Sequence, residues 1–178
     1  MADVKWDAPL KDGQRSNPAV FHTMVDIPDE IKIPSDFDLM MAFQVEKFGK
    51  TKRLKTWGRS VDNEGKTILT DDPHWIAVRN GTPLHTDFKY PRYSHQLKVR
   101  VDPGTFVRGQ DKVELELKRG VFYILDTHSP HQVFLKHKMD AWNVSISIDS
   151  HEMWDPQKAI ETCLEWGKHA DFVTGELK

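Results

Sequence analysis

The chain has 178 residues, of which 38% are hydrophobic and 29% charged, with a net charge of −2 at pH 7. This length suits one domain over residues 1–178 with a core of its own, and the balanced charge excludes a strong general attraction to nucleic acid. Because no apolar run nears the roughly 18 residues of a membrane span, no signal-peptide pattern is present and Cys163 is the single cysteine, we expect a cytoplasmic protein with no membrane partner and no intrachain disulfide.

The first 35 residues are predicted to be an irregular lead-in with short strands at most. Prolines at positions 9, 18, 28 and 34 interrupt any long element there. Strand-like segments begin after this lead-in, separated by turn residues. They are predicted over residues 39–48, 53–61, 67–69 and 74–78, the last one preceding an Asn80-Gly81 turn.

A basic cluster falls within these predicted strands. Its six cations surround Trp57 and are Lys47, Lys50, Lys52, Arg53, Lys55 and Arg59. Such a run is more often a solvated surface than a binding site, although phosphate or a base could bind to it. Nucleic acid is therefore a possible substrate but not a predicted one.

Four further strands are predicted, over residues 94–101, 113–117, 120–126 and 142–148. The first alternates, which predicts Gln96, Lys98 and Arg100 on one face and Leu97, Val99 and Val101 on the other. The last also alternates, and its polar face carries Asn143, Ser145 and Ser147. That face points either inward, where it could bind a ligand, or outward to solvent. Short strands at this spacing predict a barrel or sandwich.

A helix is predicted at the C-terminus, within residues 155–170. Asp155 is a suitable N-cap and Pro156 suits the first turn. Apolar residues then recur at helical spacing as far as residue 167, so the helix should cover about 156–169 and pack outside the strands. Cys163 lies on this apolar stripe, which predicts a small buried side chain and not a nucleophile.

A possible metal site is formed by His85, Asp87 and a histidine of the loop that follows residue 126. Side chains two residues apart on a strand share a face, so His85 and Asp87 should converge. Two histidines and a carboxylate occupy one side of an octahedral metal ion and leave positions open, as oxygen chemistry at Fe(II) requires. His128 and His131 are both candidates for the third ligand.

These segments together resemble the Fe(II)/2-oxoglutarate-dependent oxygenase superfamily over residues 83–148. The matching features are His85-x-Asp87, the glycine-led apolar strand from Gly120, and Asp126-x-x-x-x-His131-x-Val133. The resemblance implies a mainly β fold, a double-stranded β-helix (jelly-roll or cupin-like barrel) with the C-terminal helix outside it. It also implies a dioxygenase that uses Fe(II), 2-oxoglutarate and O2 to hydroxylate a substrate, releasing succinate and CO2.

The same resemblance implies residue roles. His85, Asp87 and His131 match the iron ligands, and the spacing from Asp126 favours His131 over His128. Many members bind the far carboxylate of 2-oxoglutarate with Arg or Lys about ten residues beyond the distal histidine, where this chain has Ala141-Trp142-Asn143. A subset takes this residue from the strand after His-x-Asp, which implies Arg100 first and Lys98 second. Further candidates for contacts to the co-substrate or pocket are Asn143, Ser145, Tyr93 and Tyr90.

Three alternatives remain at this stage. A cupin-like metalloenzyme would use a similar barrel without 2-oxoglutarate, and a zinc hydrolase could use the same ligand types. A jelly-roll binding module would have no catalytic activity at all. The primary substrate and the oligomeric state do not follow from the sequence.

Overall fold

The computed structural model describes residues 2–39, 73–79, 81–136, 141–169 and 171. Within these ranges the fold is mainly β, with antiparallel sheets and a C-terminal helix. The strands are β1 (Ala2–Asp3), β2 (Ala19–Met24), β3 (Pro73–Arg79), β4 (His85–Thr86), β5 (Tyr93–Val101), β6 (Thr105–Arg108), β7 (Leu115–Glu116), β8 (Val121–Asp126), β9 (Gln132–Leu135) and β10 (Trp142–Ser150). We find no helix in the described ranges with the length and hydropathy of a membrane span.

The predicted strands of the second half are present, although β7 covers only two residues of the predicted 113–117. The N-terminal lead-in contains β1 and β2. The strand predicted from Leu39 is wrong at its start, because residues 36–39 are helical. Ser35 and Asp38 cap this helical turn reciprocally, each side chain accepting a hydrogen bond from the other residue's backbone N–H. The remainder of that strand, the strands at 53–61 and 67–69, and the basic cluster with Trp57 lie outside the described residues.

The strands from β3 to β10 pair in a nested order. β3 pairs with β10, β5 with β8 and β6 with β7, and one isolated bridge joins His85 of β4 to His131 beside β9. The resulting sheets have the orders β2-β8-β5-β10-β3 and β7-β6-β9, and β1 pairs separately with β4. The described strands do not close into a barrel. The nesting nevertheless brings two segments 46 residues apart into contact at the bridge.

The hydrophobic core lies between the five-stranded sheet and the C-terminal helix. The helix spans Pro156–Gly167, with Asp155 as N-cap accepting a 2.9 Å hydrogen bond from the backbone N–H of Lys158. Its buried side chains pack on the sheet face that carries Leu97, Phe122 and Ile146. Cys163 is buried in this core, as its place on the apolar stripe predicts, and burial raises the pKa of its thiol to about 12. The other face of the sheet carries the candidate site and a second, smaller hydrophobic cluster of Val107, Leu117, Val121, Tyr123 and Leu125.

A β-bulge in β5 changes which side chains reach that other face. Ser145 lies opposite Lys98, whereas Val144 lies opposite Arg100, so Val99 is an extra residue on β5. Directly opposed residues share a face, which places Lys98 with Ser145 and Arg100 with Val144. The predicted common face for Lys98 and Arg100 is therefore wrong, because strict alternation fails at the bulge.

Candidate metal centre

His85, Asp87 and His131 form a buried cluster at the end of β4. One ligand atom from each lies within 4.8 Å of the other two. Oδ2 of Asp87 is 3.4 Å from Nε2 of His85 and 3.2 Å from Nε2 of His131. The two imidazole rings are 4.2 Å apart between centroids and tilted by 56°. Three donor atoms of these types could hold one divalent metal ion.

Backbone hydrogen bonds bring the three residues together. The N–H of His85 donates to the carbonyl of His131 at 3.0 Å, and the N–H of His131 donates back at 2.9 Å. The N–H of Asp87 donates to the carbonyl of Thr127 at 2.9 Å. These backbone hydrogen bonds join the short β4 strand to the loop of residues 126–131 and so fix the relative backbone positions of the three residues.

Both imidazole rings are oriented by a backbone carbonyl close in sequence. Nδ1 of His85 lies 2.7 Å from the carbonyl oxygen of Pro83, and Nδ1 of His131 lies 2.8 Å from that of Ser129. Since a carbonyl only accepts, each Nδ1 carries the proton. In the neutral rings each Nε2 therefore keeps its lone pair directed at the cluster, as a metal-ligating histidine requires.

The carboxyl group of Asp87 is held in its charged form. Burial raises its pKa, but in the metal-free site hydrogen bonds donated by His131 and His85, together with the positive charge of rings that also carry a proton on Nε2, lower it more, so the pKa of Asp87 lies well below its usual range. A bound metal ion would take the place of those two Nε2 protons. An ionised carboxylate between two imidazoles is a suitable donor for a divalent cation.

His128 is not part of this cluster. Its Nε2 lies 2.9 Å from the carbonyl oxygen of Tyr90, to which it donates, and its ring packs against Phe88 at 5.3 Å between centroids. The structure therefore brings His131, and not His128, to His85.

The cluster opens into a cavity on the face of the five-stranded sheet away from the helix. The cavity holds about 100 Å³ of space that a water-sized molecule can occupy, and about 710 Å³ when the open solvent at its mouth is included. Its lining is partly apolar, from Ile76, Val78, Leu125 and Val133, and otherwise polar, from Thr82, His85, Asp87, Tyr90, Ser94, Gln96, Lys98, Tyr123, Thr127, His131, Asn143 and Asp149.

Lys98 is a buried cation in the lining of this cavity. Its side chain is 1% exposed, and Nζ donates to Oε1 of Gln96 at 3.0 Å and to Oγ of Ser145 at 2.6 Å. Nζ also lies 5.1 Å from the ring centroid of Tyr123, whose hydroxyl donates to Gln96 at 2.9 Å. Among the described residues no carboxylate pairs with Lys98. Burial lowers the pKa of Lys98 to about 7, so an anionic ligand would offset the cost of its charge.

The other predicted contacts to the co-substrate divide between the two faces of the sheet. Arg100 donates to Asp36 and lies 3.9 Å from Asp102, and it does not line the cavity. Tyr93 is packed against the core beside the helix and does not line it either, whereas Tyr90 does.

The polar face of β10 points inward. Asn143 lines the cavity, and Ser145 hydrogen-bonds Lys98. Ser147 is buried, with its hydroxyl 2.7 Å from that of Ser94. Within the described ranges, Oδ1 of Asn143 is buried without a hydrogen-bond partner. A ligand or water in the cavity could donate to it.

Gln96, Tyr123 and Thr127 also line the cavity, although none was singled out from the sequence. Gln96 could have been found, since the alternation of its strand already placed it beside Lys98. Tyr123 could not, because every residue of β8 is buried and no alternation shows which face it takes.

No protein-family model, curated protein or solved structure matches this chain. What the site shows is a cluster of three side chains that could bind a metal ion, beside a buried lysine.

Proposed function

We propose that this protein is a non-haem Fe(II)- and 2-oxoglutarate-dependent dioxygenase that hydroxylates a C–H bond of its substrate. The observation that carries the proposal is the presence, in one cavity, of a His-Asp-His cluster and of Lys98, a buried cation that no described acid neutralises. A ligand that chelates the metal at one end and carries an anion at the other would satisfy both.

The strand order supports the proposal. A jelly roll, the architecture of the double-stranded β-helix, winds eight strands into two facing sheets. Here β3 to β10 are eight strands, and their partners are nested from the outermost pair, β3 and β10, to the innermost, β6 and β7. In this order the bridge between β4 and the residue before β9, the second nested pair, places His85 beside His131.

The donor set suits ferrous iron. Two neutral imidazoles and one carboxylate are the ligands of the facial site used by Fe(II) oxygenases, and no thiolate is close. His85, His131 and Asp87 would hold the ion, leaving positions for co-substrate and O2. Bound there, iron supplies the activation of O2 that oxidation of a C–H bond needs.

Lys98 is proposed to bind the far carboxylate of 2-oxoglutarate. The sequence favoured Arg100, but the bulge at Val99 turns Arg100 to the other face, where Asp36 pairs with it. Ser145 and Gln96 hold the ammonium group of Lys98 in place through their oxygen atoms. When the carboxylate arrives, Lys98 binds it as a fully charged donor, which strengthens the contact.

The cavity walls have two further tasks. Ile76, Val78, Leu125 and Val133 are the apolar part of the lining and would reduce the water around a bound ligand. Asn143 offers a free carbonyl oxygen for a donor on the ligand. The position of the substrate C–H bond depends on these walls and on the cavity mouth.

The proposal is tested by loading the purified protein with Fe(II), adding 2-oxoglutarate and air, and measuring succinate. We expect succinate with Fe(II) and none with Zn(II). Asp87→Ala should abolish it, Lys98→Met should raise the 2-oxoglutarate concentration required, and Arg100→Met, the matched control, should leave that requirement unchanged. Metal binding without any succinate would instead indicate a metalloenzyme that does not use 2-oxoglutarate, and absence of metal binding would indicate a binding module.

A further inference from the structure

The N-terminal segment of residues 2–18 contacts both of the chain segments that carry the metal-site histidines. At its start, β1 pairs with β4, placing Asp3 opposite His85. The N–H of Val4 extends this pairing by donating to the carbonyl of Leu84 at 2.9 Å. The strand with His85 is therefore held between β1 on one side and the bridge to His131 on the other.

The end of the same segment holds the loop with His131. The side-chain amide of Gln14 donates to the carbonyl of His128 at 2.8 Å. The N–H of Arg15 donates to the hydroxyl of Ser129 at 2.7 Å, and the carbonyl of Pro18 accepts from the N–H of Asp126 at 2.8 Å. Three hydrogen bonds, one each at Gln14, Arg15 and Pro18, thus attach this end of the segment to the loop of residues 126–131.

Ser129 connects these bonds to the metal ligand itself. Its hydroxyl accepts from Arg15 and donates to Oδ2 of Asp126 at 3.0 Å, while its carbonyl accepts from Nδ1 of His131. The side chain of Asp126 is fully buried and also accepts from Arg92 at 2.8 Å. Movement of the N-terminal segment would therefore move the carbonyl that orients the His131 ring.

The segment is also attached to the end of β6, although most of its side chains are exposed. A Cβ atom at Gly109 would lie 2.3 Å from the carbonyl oxygen of Ser16, so only glycine allows this approach. The side-chain amide of Gln110 donates to the carbonyls of Lys5 and Ala8 at 3.0 and 2.9 Å. These contacts hold the segment in one place relative to the β6 end.

We propose that residues 2–18 form an N-terminal clamp that positions His85 and His131 as metal ligands, so that docking of the clamp and metal binding stabilise each other. The inference rests on the metal centre of the proposed function and is independent of iron and of 2-oxoglutarate. Coupling of this kind is reciprocal: if a docked clamp raises metal affinity, bound metal must make the clamp harder to open. Ser129 is the positioning residue in this scheme.

The reciprocal effect is measured by limited trypsin digestion of the full chain with and without Co(II). Lys11 and Arg15 are trypsin sites inside the clamp, and Lys168 is an exposed control site just beyond the C-terminal helix. We expect Co(II) to slow cleavage after Lys11 and Arg15 about fivefold or more, with little change after Lys168. Equal slowing at all three sites, or none at any, would overturn the clamp.

The forward effect is measured by Co(II) titration of variants. Ser129→Ala should weaken Co(II) binding about tenfold, as loss of a group behind a ligand typically does. Gln14→Ala, which removes the two hydrogen bonds of a half-buried side chain, to the N–H of Lys11 and to the carbonyl of His128, should weaken it less and keeps the test valid should Ser129→Ala fail to fold. Thr162→Ala, which removes a hydroxyl from the outer helix, is the matched control and should bind normally.

The outcomes separate the two proposals. If the wild-type protein binds Co(II), and both Ser129→Ala and Gln14→Ala bind it with the same affinity as wild type, the clamp is overturned and the metal centre stands. Failure of the wild-type protein to bind Co(II) would overturn the metal centre, and the clamp with it. Failure to form succinate, with clamp and metal coupled as expected, would reject only the oxygenase chemistry.

Discussion

Replacing Lys98 by methionine should change stability in a way that depends on pH. Methionine has a similar length without the charge, and the ammonium group is 1% exposed with a pKa lowered by burial to about 7, against 10.5 for an ordinary lysine. Between pH 7 and pH 10.5 Lys98 carries a proton in the unfolded chain but not in the folded chain. The free energy of unfolding of the wild-type protein therefore rises with pH over this range. Below pH 7 both states are protonated, and the folded state carries the full cost of the buried cation.

The size of the effect follows from the proton difference. One pKa unit corresponds to about 1.4 kcal/mol, and from pH 7.5 to 9.5 the difference is close to one proton, which amounts to about 2–3 kcal/mol. Lys98→Met should thus be more stable than wild type near pH 7 and lose about 2–3 kcal/mol of that advantage by pH 9.5.

The assay is urea unfolding followed by tryptophan fluorescence, with a chelator present and no co-substrate. Taking the difference between variant and wild type at pH 7.5, 8.5 and 9.5 cancels all other titrating groups. Lys118→Met is the matched control, since this lysine is exposed and its difference from wild type should stay constant with pH. A pH-independent difference for Lys98→Met as well would refute the reasoning that Lys98 is buried without a counter-charge.

Other predictions concern the ligands, the backbone and the thiol. Alanine at either metal-site histidine should abolish the rise in melting temperature on adding Co(II), whereas His128→Ala should keep it; a rise retained in the first two variants would contradict the ligand assignment. Gly81→Ala should lower the free energy of unfolding by about 2 kcal/mol or more, because φ is +84° and the new Cβ would lie 2.5 Å from the carbonyl oxygen of Val133. Gly13→Ala, at φ +80° with only a 3.9 Å contact, should cost about 1 kcal/mol, and equal costs in urea unfolding would contradict the steric argument. Cys163 should not react with a thiol reagent in the native protein and should react fully in urea; rapid native reaction would show that the helix does not cover it.

The candidate metal cluster was predictable only in part from local sequence. A local pattern brings together His85 and Asp87, which are two residues apart at the end of β4, whereas His131 lies 46 residues beyond His85 and was favoured over His128 because its spacing from Asp126 matches the resemblance. The C-terminal helix was predictable from local sequence, since its cap and its apolar stripe are both contained in about fifteen residues. Patterns of this kind survive folding because no distant segment needs to be known.

The prediction that Arg100 shares a face with Lys98 was wrong because the alternation of β5 is interrupted by the bulge at Val99. The bulge arises from the pairing of β5 with β10, and the sequence of β5 alone contains no sign of it. The choice of Tyr93 as a co-substrate contact could have been avoided from the sequence, because the alternation of its own strand places Tyr93 on the same face as Leu97, which is the core face. The role of residues 2–18 could not be predicted, since an irregular segment has no periodicity and its contacts are with residues far along the chain, such as that of Val4 with Leu84 and that of Gln14 with His128.

The central claim is that the His-Asp-His cluster and Lys98 together bind a metal ion and 2-oxoglutarate in one cavity. Anaerobic titration of the Fe(II)-loaded protein with 2-oxoglutarate tests it most directly, because chelation of Fe(II) by a 2-oxo acid gives a weak visible charge-transfer band. We predict a band that saturates with 2-oxoglutarate in the wild-type protein and needs a higher concentration in Lys98→Met. Iron bound at the site, with no band at any concentration of 2-oxoglutarate, would contradict the account.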